Sequence, residues 1–338
     1  MTDAADPVLV QATRGAFVER SHRGAYAVAE VSGDVVAAAG DVDRLFLPRS
    51  SVKLLQALPL VESGAADAFR LDPRRLALAC ASHQGSATHA SAVAEWLAAL
   101  DLGEPDLMCG PQVSSDAATR AAMRAAGEGP RQLHNNCSGK HAGFLTLARH
   151  LSAPTADYIA VDHPVQRAAA EAFAEATGAA EPLAWAVDGC SAPNFACSLR
   201  GLAHAMARVA RPHEGFRGVR ATAAARLRDA MAAHPFDVAG EGRACTALIE
   251  ACASRAVVKT GAEGAFTAIL PERGLGIALK IADGDTRAAE CAMAALLVRF
   301  GALDPAHPAA VRYLTPALRN RRDVVTGSIR PTATLTAS

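Results

Sequence analysis

The chain has 338 residues, 51% of them hydrophobic and 4% aromatic, with 34 Lys+Arg against 34 Asp+Glu for a formal net charge of zero. That length suits one large domain or two intimate ones with an ample core. The balanced charge leaves no electrostatic footprint for nucleic acid or an anionic membrane. The N-terminal MTDAADPVLV has acids ahead of a short apolar run and lacks a basic leader, so no export signal is expected there. No stretch reaches the roughly 18 uninterrupted apolar residues of a membrane span. A cytoplasmic location follows as the expectation. In that compartment the eight cysteines, Cys80, Cys109, Cys137, Cys190, Cys197, Cys245, Cys252 and Cys291, read mostly as small buried thiols rather than disulfides.

In chain order, residues 8–40 read as an antiparallel meander, with turns expected at His22-Arg23-Gly24 and Ser32-Gly33-Asp34. Pro48 precedes a helix-like pattern from about Ser50 to Leu60. Residues 73–80, 86–101, 115–126, 140–151, 163–178, 194–210 and 217–233 show helical periodicity and alanine enrichment. From about residue 255, RAVVKTG, EGAFTAIL and LGIALKIAD read as three short strands, and DTRAAECAMAALLVRFGA as a helix capped by Asp285. The tail after Asp304 reads as irregular. Strands at both ends with helices between them do not fit a βαβ repeat. The expected solution is an α/β fold in one domain spanning 1–338: strands at 8–40 and 255–283 join in one antiparallel sheet with helices on both faces, and a helical region over 50–250 is inserted.

Lysine and asparagine are scarce. Four lysines (Lys53, Lys140, Lys259, Lys280) leave thirty arginines, and the four asparagines are Asn135, Asn136, Asn194 and Asn320. Where arginine fills the ordinary surface positions, a lysine that persists marks a place that needs a compact amine able to lose its proton. Arg49-Ser50-Ser51-Val52-Lys53 puts a serine and a lysine on one face of a helix start, where a desolvated lysine could take the serine proton. Alone, this spacing equally describes a capped helix with a solvated lysine. Lys259-Thr260-Gly261, on the first C-terminal strand, completes a two-part Ser-x-x-Lys and Lys-Thr-Gly signature. Ser82, after LALACA, reads as a second nucleophile, a proton relay or a helix cap. His134-Asn135-Asn136-Cys137-Ser138-Gly139-Lys140-His141 is not a P-loop, because the first glycine and the Ser/Thr after the lysine are missing. Asp188-Gly189-Cys190 lies in a polar turn. Cys137, Cys190 and a neutral Lys140 could form an open three-ligand metal site, or the thiols could simply pack. HExxH and GxGxxG are absent.

PRSSVK, ASHQG, LHNNCSGKHAG, DGCSAPN, VKTGAEG and LKIADG, in this order, resemble the Rhizobium-type L-asparaginases, the asparaginase II or class 3 family. The resemblance covers essentially the whole chain. It implies a serine β-lactamase-like fold, a homodimer, and hydrolysis of L-asparagine to L-aspartate and ammonia. By residue it implies Ser50 as nucleophile with Lys53 as base, Ser82 with Lys259 as a second pair, and zinc on Cys137, Lys140 and Cys190. Arg49, Asp188, His134 and Asn136 would bind substrate, with Arg49 on its carboxylate and Asp188 also orienting the metal cluster. Lys280 has no role in this scheme. Rival readings are a glutaminase, a β-lactamase or esterase on the same fold, and a non-catalytic asparagine or metal sensor.

Overall fold

The computed structural model describes residues 6–337; the first half of the N-terminal decapeptide read above for an export signal lies outside them. The chain opens with β1 (Val8–Arg14), β2 (Phe17–Glu30) and β3 (Val35–Ala39). A 3-10 turn, Arg49–Val52, runs into α1 (Lys53–Glu62), followed by α2 (Ala65–Ala68), α3 (Pro73–Ala79), α4 (Ala87–Ala98), α5 (Ala117–Ala125), α6 (Ser138–His150) and α7 (Pro164–Thr177). A hairpin, β4 (Trp185–Val187) and β5 (Pro193–Phe195), precedes α8 (Leu199–Ala210), α9 (Pro212–Gly215), α10 (Gly218–Ala233), α11 (Pro235–Val238) and α12 (Ala244–Cys252). The chain ends with β6 (Val257–Thr260), β7 (Ala265–Leu270), β8 (Leu275–Ile281), α13 (Thr286–Arg299), α14 (Pro308–Leu314), β9 (Ala317–Arg319), β10 (Val325–Pro331) and α15 (Ala333–Thr336). Helix starts follow capping chemistry. Asp72, Ser86, Asp116, Ser198 and Asp285 each accept the backbone N–H three residues on, which satisfies donors that a helix N-terminus leaves open.

The chain divides into two compact units, residues 1–52, 197–215 and 247–338, and residues 53–196 and 216–246. The first, the sheet unit, joins the chain ends in one eight-stranded antiparallel sheet of order β6-β7-β8-β2-β1-β10-β9, with β3 also on β2. Every residue of β7 and all but Lys280 of β8 are buried, so both faces are covered. Helix α8 packs on β2, β7 and β8, and α13 on β1, β7, β8 and β10. Gly276 of β8 lies so close to α8 that a Cβ there would overlap the Ala203 carbonyl and the Ala207 amide. The second, the helical unit, is centred on α1, whose residues from Lys53 to Val61 are all buried against α6, α7 and α10. No helix among the described residues is long and apolar enough to cross a membrane.

Three expectations differ from the structure. The first turn is at Gly15-Ala16, with Gly15 at φ +53, and β2 runs straight through His22-Arg23-Gly24. Gly24 serves close approach instead of a turn: a Cβ there would overlap the Lys280 carbonyl of the neighbouring strand. Pro193–Phe195 is a hairpin strand, so the helix expected from 194 begins at Leu199, behind the Ser198 cap. The tail holds β9 and β10, and β10 pairs with β1. Its exposed residues hide the two-residue alternation that marks a half-buried strand.

Gly276→Ala is expected to lower stability by about 2–3 kcal/mol or more, because the methyl group meets backbone rather than a movable side chain. Gly103→Ala, where the nearest atom would be 3.5 Å away, should stay near wild type in the same urea denaturation.

Candidate active-site clusters

In the helical unit the chemistry gathers at the start of α6. Gly139 lets this turn press on α3, since a Cβ would overlap the Leu78 carbonyl. The approach to α6 is held by Asn135. Its amide nitrogen donates to the carbonyls of Cys109 (2.8 Å) and Gly110 (2.9 Å), and its oxygen accepts the Cys137 N–H at 2.8 Å. Ser138 donates to the Leu133 carbonyl at 3.0 Å and lies 3.0 Å from His83 Nε2, while His83 Nδ1 accepts the Gly85 N–H at 3.1 Å. Burial first, then nearby His89 and Lys53, pushes His83 well below its ordinary value; it is the neutral Nε2–H tautomer, donating to Ser138. His134 Nδ1 donates to the Gly85 carbonyl at 2.7 Å, and a Cβ at Gly85, which is at φ +68, would overlap the His134 main-chain carbonyl.

These supports hold two lysines and two cysteines away from water. Lys53 is fully buried and donates to the carbonyl of Ala81, the residue before Ser82, and to that of Asn136 at 3.3 Å. Lys140 Nζ lies 3.1 Å from Cys190 Sγ and 5.3 Å from the Phe144 ring centroid. The β4–β5 hairpin delivers Cys190, and Asp188 Oδ2 sits 3.9 Å from its sulfur. The Cys137 thiol has two acceptors in reach, Asn136 Oδ1 at 3.0 Å and the Cys190 sulfur. That hydrogen bond from Cys137 lowers the Cys190 thiol to about 4, aided against burial by Lys140 and Lys53. The same bond, with burial, pushes Cys137 up to about 12. Burial opposes charge on Lys140, but Cys190, Cys137 and Asp188 outweigh it and hold the amine above its ordinary value. This proximity favours negative charge on Cys190 and positive charge on Lys140.

In the sheet unit, Arg49 and Ser50 are half-buried on the 3-10 turn, with Arg49 at φ +55. Ser51 Oγ donates to the Pro48 carbonyl at 2.7 Å. Gly261 fits tightly beneath this turn: a Cβ would stand 2.7 Å from the Pro48 carbonyl and 3.1 Å from the Ser51 nitrogen. Lys259 is buried on β6, opposite Thr267 of β7, and donates to the Thr260 carbonyl at 2.7 Å. The Thr267 hydroxyl lies 3.0 Å from the Ser51 carbonyl and 3.2 Å from that of Lys259, so one donor ties the Ser50 turn to the Lys259 strand.

The expected site residues thus fall into two groups. Lys53, Ser82, His134, Asn136, Cys137, Lys140, Asp188 and Cys190 belong to the helical unit, and Arg49, Ser50 and Lys259 to the sheet unit. Asn135, His83 and Ser138 lie in motifs marked in the sequence but were given no role of their own, and Thr267 lies in none of them. The doubled asparagine pointed to Asn135, whereas a threonine in a strand such as AFTAIL carries no signal. Among the described residues no group of three or more His, Cys, Asp and Glu side chains is placed to hold a metal ion. Cys137, Cys190 and Lys140 do converge, and two thiolates with an amine suit zinc once a metal displaces the Cys137 and Lys140 protons.

The chain matches the L-asparaginase II family over residues 10–331 and belongs to it. None of the curated proteins compared with it matches. Similar solved structures include a β-lactamase from Mycobacterium bovis, at 16% identity over 79% of this chain and 89% of that one, with a TM-score of 0.41. Another is the protein Mglu in its native form in 4.3 M NaCl, at 18% identity over 78% of this chain with a TM-score of 0.39; the match spans 57% of Mglu's length.

Asn135→Ala removes three buried hydrogen bonds at the entry to α6 and should lower stability by about 2–3 kcal/mol. Asn135→Asp, although the same shape, should be no milder, because it sets a carboxylate against two carbonyls. Denaturant midpoints of the two variants check this.

Proposed function

We propose that this chain hydrolyses the side-chain amide of L-asparagine to L-aspartate and ammonia, with Ser50 as the nucleophile. One observation carries the reading beyond family membership. In a chain with thirty arginines, the three lysines of the motifs, Lys53, Lys140 and Lys259, are only 0%, 3% and 3% exposed. Burying a lysine is costly without a function or a partner to offset it.

In this reading Ser50 Oγ attacks the amide carbon and Lys53 receives its proton. The tetrahedral intermediate collapses, the C–N bond breaks, and nitrogen leaves as ammonia with a proton returned from the Ser–Lys groups, leaving an aspartyl ester on Ser50. Water then adds to the ester and restores the serine. Backbone N–H groups near Ser50 hold the oxyanion. Ser82 and Lys259 form the second pair that relays protons, and Arg49 meets the substrate carboxylate. His134, Asn136 and Asp188 complete the substrate side. Cys137, Lys140 and Cys190 would hold a zinc ion, which when bound supplies a Lewis-acidic centre next to the pocket for the zwitterionic substrate. The reading also includes a cytoplasmic homodimer.

The test is ammonia release from L-asparagine, compared with L-glutamine and a chromogenic β-lactam. Asparagine should be turned over fastest, and β-lactam turnover without asparagine turnover would overturn the reading. Asparagine binding with no ammonia released, with or without zinc, would point to a sensor instead. Ser50→Ala should reduce kcat by about 10³-fold or more. Cys137→Ala should weaken zinc and substrate binding more than the chemical step, seen as a larger change in KM than in kcat; equal total loss from both variants would make the zinc catalytic.

A further inference from the structure

The fourth lysine stands outside that scheme. Lys280, on β8, donates through its amine to the Glu263 carbonyl and, at 2.7 Å, to the Ile281 carbonyl. Glu263 and Gly264 form the turn between β6 and β7, at φ +57 and +72. A glutamate in the left-handed region is unfavourable on its own and persists only where its surroundings fix it. The turn is held by the Ala265 N–H on the Ala262 carbonyl at 3.3 Å, the Ile281 N–H on the Gly264 carbonyl at 3.0 Å, the Gly261 N–H on the Ala265 carbonyl at 2.7 Å, and by Lys280 on Glu263. At the near end of this turn is Gly261, packed against Pro48 and Ser51, the residues that flank Arg49 and Ser50.

We propose that Lys280 is a positioning residue for the reaction. By clamping the Glu263 carbonyl it sets the β6–β7 turn, and through Gly261 the turn sets the backbone that presents Ser50. The inference rests on the reading of Ser50 as nucleophile. All the groups involved lie in the sheet unit. An ammonium suits the task because one nitrogen carries three N–H donors and can fork between a carbonyl of the turn and one of its own strand. A guanidinium spreads its donors over a plane and does not occupy the same point. Lys280 also borders a cavity of about 300 Å³ with Asp41, Arg44, Phe46 and Leu199, so a longer head group has room to swing out of the clamp instead of distorting the sheet.

The test uses the full chain with Lys280→Met and Lys280→Arg. Amide hydrogen exchange across 261–265 should rise about tenfold in both variants, with the rest of β7 and β8 unchanged. The kcat for asparagine should fall roughly ten- to a hundredfold, with KM changed less than about twofold, since Arg49 and the substrate-binding side chains remain. Wild-type exchange and kcat in Lys280→Met would overturn the proposal, and so would full recovery in Lys280→Arg, which would make the charge and not the fork responsible. If Lys280→Met does not fold, Lys280→Gln, which retains a shorter donor, should give an intermediate exchange rate; wild-type exchange there overturns the proposal equally. If the wild-type chain releases no ammonia, the asparaginase reading fails, while the exchange data still decide whether Lys280 clamps the turn.

Discussion

Burying an amine requires partners that replace its lost hydration, and for Lys140 in the helical unit the nearest is the Cys190 sulfur, 3.1 Å from Nζ. Removing either partner of such a pair leaves an uncompensated charge away from water, at about 3–5 kcal/mol. Much of the local architecture follows from this pairing. Gly139 allows α6 to begin against α3 and so brings Lys140 inside. Asn135 fixes the peptide before α6, and the β4–β5 hairpin exists in three-residue strands just long enough to present Cys190. Cys137, within hydrogen-bonding reach of the same sulfur, makes the pair a cluster of three, the set of side chains proposed above to take a metal. Lysine is a compact amine with a flexible stem, whereas a guanidinium is planar and wider, so the two are not interchangeable at a buried contact of this size.

The sheet unit obeys a different constraint, that of backbone approaching backbone. Gly24, Gly261 and Gly276 each stand where a methyl group would meet a main-chain atom of the next element. Two of these contacts join β8 to β2 and to α8, and the third seats the Ser50 turn on the Lys259 strand. Thr267 adds a hydroxyl between the same two segments. The turn that carries Ser50 is thus placed in part by a main-chain contact, whose tolerance is a few tenths of an ångström.

Much of this was legible in the residues. The short strands at both ends and the alanine-rich middle foretold one sheet with a helical insertion, because period-two and period-3.6 patterns are long and regular there. Asp285 announced its helix by capping chemistry. Local pattern misled where glycine has two uses: at 24 it allows a strand to approach its neighbour, while the turn lies at Gly15. It was silent for β9, an edge strand of three residues, and for its half-buried neighbour β10. Within the site, scarcity was the signal. Lys53, Lys140 and Lys259 stood out against thirty arginines, and the doubled Asn135-Asn136 marked the entry to α6. Thr267, His83 and Ser138 could not be found that way, since threonine, histidine and serine are ordinary residues in a strand, a loop and a helix start. The return of residues 197–215 to the sheet unit was not legible, because they stand in the middle of a helical stretch.

The central claim is covalent catalysis at Ser50, and the direct measurement is mass spectrometry of protein quenched in acid during turnover of L-asparagine. The account predicts one aspartyl group on the peptide that contains Ser50, appearing with the first ammonia released and disappearing when the substrate is exhausted. Recovery of the aspartyl group on any other side chain, or turnover in which that peptide stays unlabelled at every quench time, would contradict it.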